Sequence, residues 1–199
     1  MEEFNNETRR EERRAQWIGY ELWEIAKVLL VSLAIAAAVR YFIAQPFIVR
    51  GASMEPNFED RQYLIVDEIS YILRNPKRGE PIVFHYPRDT SKFFIKRVVG
   101  LPGEKIEIKN GRVHIANKEY PDGFTLEESY LSPPNRATRP DTQVLLKNDE
   151  YFVLGDNRDS SSDSRVWGEV RREFLVGRVI FRVWPLGKMG VIPDFSSSY

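Results

Sequence analysis

Phe93-Phe94-Ile95-Lys96-Arg97-Val98-Val99-Gly100-Leu101-Pro102-Gly103-Glu104, continued by Lys105-Ile106-Glu107-Ile108-Lys109-Asn110-Gly111-Arg112-Val113-His114-Ile115-Ala116, holds three β-type runs separated by turn signals. Residues 93–99 are aromatic or branched apart from two cations, and Leu101-Pro102-Gly103 punctuates their end. Residues 105–109 and 112–116 alternate apolar and polar positions around Asn110-Gly111, a dipeptide suited to the positive-φ turn of a tight hairpin.

Outward from that hairpin, Phe47–Val49, Tyr63–Val66, Pro81–Tyr86, Glu150–Leu154 and Val179–Trp184 read as further short strands. Strands this short and this closely spaced indicate a mainly β domain of sandwich or barrel type. Gly168–Leu175 is expected to add one short helix. Tyr120–Thr142, rich in Pro and polar residues, reads as a long surface excursion, and Ser196–Tyr199 as a loose tail.

Ahead of the strands the pattern is helical and apolar. Ile25–Ile43 carries Lys27, Ser32 and Arg40 but is otherwise apolar or Tyr, about the length that crosses a bilayer core as a helix. The two cations sit near its ends, where long side chains reach the interface. A cleaved signal peptide is the rival reading, because Val28–Val39 is a shorter uninterrupted core ending in Ala36-Ala37-Ala38. The long, Glu-containing lead before Ile25 favours an uncleaved anchor. Arg9, Arg10, Arg13, Arg14 and Lys27 precede or open the core, and Trp17, Tyr20 and Trp23 suit an interfacial belt, so the N-terminus is expected in the cytoplasm. The expected organisation is a cytoplasmic segment over residues 1–24, an anchor over 25–45, a mainly β domain over 46–195 with its excursion at 120–142, and the tail.

The 199 residues balance 29 Lys+Arg against 29 Asp+Glu, which removes the positive field that nucleic-acid binding uses. The absence of Cys excludes a thiolate metal site and a Cys nucleophile, and two His make a multi-histidine metal centre improbable. Hydrolytic chemistry in this chain therefore falls to Ser, Lys, Asp or Glu.

Three segments can carry it. Arg50-Gly51-Ala52-Ser53-Met54-Glu55-Pro56 presents a serine on a turn, and a serine hydroxyl needs a base within hydrogen-bond reach to act as a nucleophile. In the strand over 93–99 the period of two puts Phe94, Lys96 and Val98 on one face, so Lys96 emerges between apolar neighbours that disfavour its charged form. A neutral amine there can take a proton from a serine. The third segment, Gly155 to Arg165, is dense in Asp, Asn, Ser and Arg and can form a self-bonded loop buttressing a site. As a calcium loop it lacks the glutamate at the twelfth position and the glycine at the sixth, so no metal is expected.

In this order, behind an apolar segment, these boxes and Arg78-Gly79-Glu80-Pro81-Ile82-Val83-Phe84 between them resemble bacterial-type signal peptidase I, a membrane-bound Ser/Lys endopeptidase that removes signal peptides from exported proteins. The resemblance covers roughly Pro46 to Val183. It implies antiparallel sheets of the signal peptidase type, no cofactor, Ser53 as nucleophile, Lys96 as general base, and the Ser53 backbone N–H in the oxyanion hole. It maps a lysine-bonding serine onto Ser161 and a supporting aspartate onto Asp163, with Arg165 or Arg97 as partner and Asp156 and Arg158 as structural members of the loop. Some members use a serine hydroxyl two residues before the nucleophile as second oxyanion donor. That position here is Gly51, which implies a backbone or water substitute. Substrate contacts are expected from Val49, Arg50, Gly51, Met54, Phe58, Phe94 and Ile95, with small side chains at substrate positions −1 and −3.

The resemblance also implies an apolar surface dipping into the bilayer, to which Phe47, Ile48 and Val49 could contribute, and a catalytic domain on the periplasmic, external or thylakoid-lumenal side. Arg61-Gln62 departs from the Gly-Asp common in the family, at a turn read as lying away from the dyad. Two rivals share parts of this pattern: self-cleaving SOS repressors, which would carry a DNA-binding domain in place of the anchor, and an inactive tethered β module, against which the presence of both Ser53 and Lys96 argues.

Overall fold

A computed structural model describes residues 17, 20–35, 44–133 and 137–195. The chain divides into two units, residues 1–43 and 44–199. In the first, residues 20–35 are helical and nearly every side chain is exposed. Among the described residues no helix is long and apolar enough to cross a membrane. The expected anchor continues over residues 36–43, which lie outside the described residues, as do residues 1–16 and the tail 196–199.

Among the described residues the second unit has twelve strands: β1 (Ala44–Ile48), β2 (Tyr63–Asp67), β3 (Pro81–Tyr86), β4 (Asp89–Gly100), β5 (Lys105–Lys109), β6 (Arg112–Ala116), β7 (Phe124–Thr125), β8 (Thr142–Leu145), β9 (Glu150–Leu154), β10 (Val170–Arg171), β11 (Leu175–Trp184) and β12 (Gly190–Val191). The larger sheet runs β1-β2-β11-β3-β4-β9-β10 with β12 beside β11, and the smaller runs β7-β6-β5-β8. Every pairing is antiparallel.

The hairpin forms as its alternation dictates. Lys109 pairs with Arg112 across Asn110 at φ 53° and Gly111 at φ 77°. Ile106, Ile108, Val113 and Ile115 all point inward and join Val99, Phe152 and Leu154 in one core cluster. Burying each such side chain stabilises the fold by roughly 1.5–3 kcal/mol, and a one-residue slip would turn the whole set outward. Gly100 is where β4 leaves the larger sheet; a Cβ there would lie 2.8 Å from the Ile106 side chain, so a larger residue would have to displace Ile106 and Leu146. A second cluster gathers Ile82, Phe84, Val98 and Trp167, and a third packs Val49, Met54, Phe58, Leu64 and Val179 around the turn after β1.

Several boundaries differ from expectation. Ala44 and Gln45, assigned to the anchor, open β1 by pairing with Asp67 and Val66. Two short α-helices follow loops: α1 (Ile69–Leu73), which lacks a side-chain cap, and α2 (Ser164–Trp167). The helix expected over Gly168–Leu175 is reduced to one 3-10 turn, Arg172–Phe174, between β10 and β11. Asp163 caps α2 by accepting from Arg165 N–H, and Gly168 at φ 94° ends it. Tyr120–Thr142 is more than a surface excursion: Leu126, Tyr130, Leu131 and Thr138 are buried.

Candidate active site

Ser53 sits on the turn after β1. Gly51 at φ 86° lets the chain reverse there, and Glu55 N–H donates to Ala52 O at 3.1 Å. Val49 fixes the base of the turn through Val49 N–H to Gln62 O and Arg61 N–H to Val49 O, both 2.9 Å. Arg61-Gln62 is therefore bonded to the strand end four residues before Ser53, closer to the site than its sequence position suggested. Arg61 holds φ 63°, a conformation in which glycine is unstrained.

β4 brings in the lysine. Lys96 is 4% exposed, and its Nζ lies 2.7 Å from Ser53 Oγ and 2.9 Å from Ile95 O. Burial pushes its pKa down to about 8, against the opposing pull of Asp163 and then Asp156. The alternation read from sequence thus delivers a partly neutral amine to the serine hydroxyl.

The Gly155–Arg165 loop forms the remaining wall. Asn157 N–H donates to Ser53 O at 3.0 Å and its Nδ2 to Ala52 O at 3.1 Å. A Cβ on Gly155 would overlap the Ser53 carbonyl oxygen and the Ser161 hydroxyl, so this approach requires glycine. The loop is held from behind by two buried ion pairs. Asp156 accepts from Arg97 Nε at 2.8 Å and Nη2 at 2.6 Å. Asp163 accepts from Arg165 Nε and Nη2, both at 2.7 Å, and from Gly155 N–H at 3.0 Å. Of the two partners considered for Asp163, Arg165 makes the pair and Arg97 serves Asp156. Arg158 bonds Gly155 O, Thr138 and Glu128.

Three expectations change here. Ser161 Oγ is buried without a hydrogen-bond partner among the described residues, so the contact to Lys96 is not made. Gly51 N–H is already engaged, donating to Asp60 Oδ1 at 2.8 Å. Met54 and Phe58 are each 1% exposed in the third core cluster, where apolar residues beside a turn pack inward, and with Gly51 they do not line the groove next to Ser53.

That groove has a volume of about 750 Å³. Ile48, Val49 and Arg50 form one wall, Phe93, Phe94 and Ile95 the other, and Ser53, Lys96 and Ser162 close one part of it. Of the residues suggested for a lipid-facing surface, only Ile48 is well exposed; Val49 is core and Phe47 packs edge-on against Phe93 at 5.4 Å. Sequence reasoning missed Glu128, Tyr130 and Thr138, whose signal was the apolar trio Leu126, Tyr130 and Leu131 within an otherwise polar stretch.

A family model described as signal peptidase, peptidase S26, matches residues 22–184. The chain is 38% identical over 178 residues to a probable signal peptidase I-2 of Synechocystis sp., covering 86% of this chain and 77% of that protein. It is 39% identical over 178 residues to a signal peptidase I of Leptolyngbya laminosa, covering 85% and 83%. A crystal structure of a signal peptidase I from Enterococcus faecalis is 31% identical and covers 53% of this chain and 97% of its own, with a TM-score of 0.46.

Proposed function

The chain belongs to the signal peptidase family, peptidase S26, whose serine endopeptidases remove signal peptides from preproteins, and on that premise we propose Ser53 as nucleophile and Lys96 as general base. The observation that carries this assignment is the 2.7 Å separation of Ser53 Oγ from a Lys96 amine whose pKa burial holds near 8. A serine positioned against an amine that is partly neutral near physiological pH has the base it needs.

Ser53 Oγ attacks the scissile carbonyl carbon while its proton passes to Lys96 Nζ. The developing oxyanion is held by the Ser53 backbone N–H, with a water or a substrate-induced donor replacing Gly51. Collapse of the intermediate breaks the C–N bond, and the leaving amine takes the proton from Lys96. Water then attacks the acyl ester as Lys96 accepts its proton, and Ser53 is released with its hydroxyl restored. While that proton is held, the Lys96 ammonium keeps its bond to Ile95 O. Asp163 and Arg165 fix the loop, and Asp156 and Arg97 tie it to β4.

The groove takes an extended chain between the Ile48–Arg50 and Phe93–Ile95 walls. Main-chain pairing supplies affinity, and the fit of side chains between those walls selects small residues at −1 and −3. Residues 25–43 anchor the enzyme, the basic residues before them stay in the cytoplasm, and the β unit works outside it. The lipid bilayer is thus a partner, and no nucleic acid is.

The test is incubation of purified protein with a preprotein whose signal ends in Ala-x-Ala, followed by mapping of the new N-terminus. Cleavage directly after the second Ala is expected, and its loss in Ser53→Ala. Absence of cleavage by demonstrably folded wild-type protein contradicts the assignment.

A further inference from the structure

Arg97, the neighbour of Lys96, is 1% exposed and is held by more than its carboxylate. Besides the two bonds to Asp156, Nη1 donates to Gly79 O at 2.7 Å. Two rings close on the guanidinium: Tyr130 at 4.2 Å from its central carbon and Phe195 at 5.4 Å, the rings themselves 5.8 Å apart and inclined at 62°. Tyr130 comes from the segment before β8. Phe195 comes from the segment after β12, which is fastened where Ile192 N–H donates to Ile180 O at 2.9 Å and where Ile192 packs on the cluster around the Ser53 turn. Its course crosses Gly79 so closely that a Cβ there would lie 2.9 Å from Phe195 O.

Each neighbour of this clamp leads to the dyad. Lys96 precedes Arg97 on β4. Asp156 lies between Gly155, which packs on the Ser53 carbonyl, and Asn157, which donates to it. Asn57 Nδ2 bridges the Asp156 carboxylate at 2.9 Å and Tyr130 O at 2.8 Å. A guanidinium whose ring-covered sides are closed to water holds its carboxylate in one geometry, and that geometry sets the spacing between β4 and the loop bonded to Ser53.

We propose that Phe195, carried by the C-terminal segment and acting with Tyr130, is a positioning residue for catalysis: it locks the Arg97–Asp156 pair and thereby the Ser53–Lys96 distance. The proposal deepens the Ser53/Lys96 assignment and rests on it. Removing the ring admits water to the guanidinium and loosens its hold on Asp156. The charged groups that face Lys96 are Asp163, which Arg165 still neutralises, and Asp156, whose charge then acts more fully on the lysine. The ascending limb of the pH–rate profile should therefore move to higher pH.

The test measures kcat, KM and the pH profile of kcat/KM for the full chain with a preprotein substrate, in Phe195→Ala, Phe195→Leu and Phe195→Tyr, beside wild type and Ser53→Ala. Phe195→Ala is expected to lower kcat by about threefold or more with KM nearly unchanged, and to shift the limb upward. Phe195→Tyr should restore both and Phe195→Leu neither, because an aliphatic side chain fills space without a ring face for the cation. A smaller loss of kcat, an unmoved limb, or recovery by Leu equal to that by Tyr overturns the proposal, and the mild Leu and Tyr changes keep it decidable if the Ala variant folds poorly. Cleavage by Ser53→Ala sinks the dyad assignment and the Phe195 role together. An inactive Ser53→Ala beside a wild-type-like Phe195→Ala sinks the Phe195 role alone.

Discussion

Lys96 and Arg97 are adjacent on one strand, equally hidden from water, and on opposite sides of β4 they meet opposite environments. On the groove side the nearest acceptors of Lys96 are a hydroxyl and a carbonyl, and the carboxylates that act on it from a distance are already paired to arginines. Desolvation prevails and its pKa falls. On the inner side burial works equally against the charge of Arg97, but the bidentate Asp156 more than offsets it, and the guanidinium is held above its ordinary value. Burial alone therefore decides neither outcome. The position of the countercharge does, and alternation along a strand lets one dipeptide provide both a reactive amine and a rigid tie.

The sharpest way to break this contrast is at the groove. Ser53→Ala and Lys96→Arg should each reduce cleavage by about three orders of magnitude or more, the second because a guanidinium stays protonated at any usable pH and cannot accept the serine proton. Initial rates on a preprotein check it, and residual activity within about tenfold of wild type for either would contradict the roles assigned.

The inner side breaks differently. Asp156→Ala leaves the Arg97 charge buried and uncompensated, so urea unfolding should show a loss of about 3–5 kcal/mol. A loss below about 1 kcal/mol would mean that water reaches Arg97 and that the two sides of β4 are not as distinct as drawn.

A third measurement sets stability against activity at the same residue. The folded pKa of Lys96, about 8, lies below the ordinary 10.5. Between those values the unfolded chain binds more protons, so stability rises with pH across the window, and below about 8 the full penalty, about 3 kcal/mol, is in force. Lys96→Met should therefore unfold at higher urea than wild type at pH 7, with the gain fading as pH rises from about 8 and gone above about 10.5, while being inactive. Wild-type kcat/KM should climb through about pH 8 as the amine loses its proton. A Met variant less stable than wild type at pH 7 would show that the lysine is not strained by burial.

The smallest expected effect is at the histidines. His85 Nδ1 contacts Thr90 O and His114 Nδ1 contacts Thr125 Oγ1, and neither residue lines the groove. His85→Ala and His114→Ala should keep kcat/KM within about twofold across the pH range. Loss of the ascending limb in either would move the titrating base away from Lys96.

What could be read from the sequence was what is local. The Asn110-Gly111 hairpin forms on the expected residues because its turn and its alternation agree within twelve residues. β7, β10 and β12 are two residues each and exist only through the strands beside them, so no periodicity could announce them. At the site, the turn of Ser53 and the facing of Lys96 follow from short-range rules. The choice of Asp156 rather than Asp163 as partner of Arg97 is made across 59 residues of sequence. Met54 and Phe58, expected among the substrate contacts, instead pack the turn in the core. The buttressing role of Tyr120–Thr142 is hidden because its buried members are few among many polar neighbours.

The 43-residue separation of Lys96 from Ser53 has a consequence for when this protease can be dangerous. In an unfolded or partly exported chain the lysine is solvated and protonated and the serine has no base, so neither residue does chemistry. Reactivity appears only when β4 has found its neighbours and hidden the amine. With Ser53 and Lys96 in the proposed roles, the fold thus carries its own safety catch: an unfolded copy is inert by default, and becomes a peptidase at the moment its sheet closes.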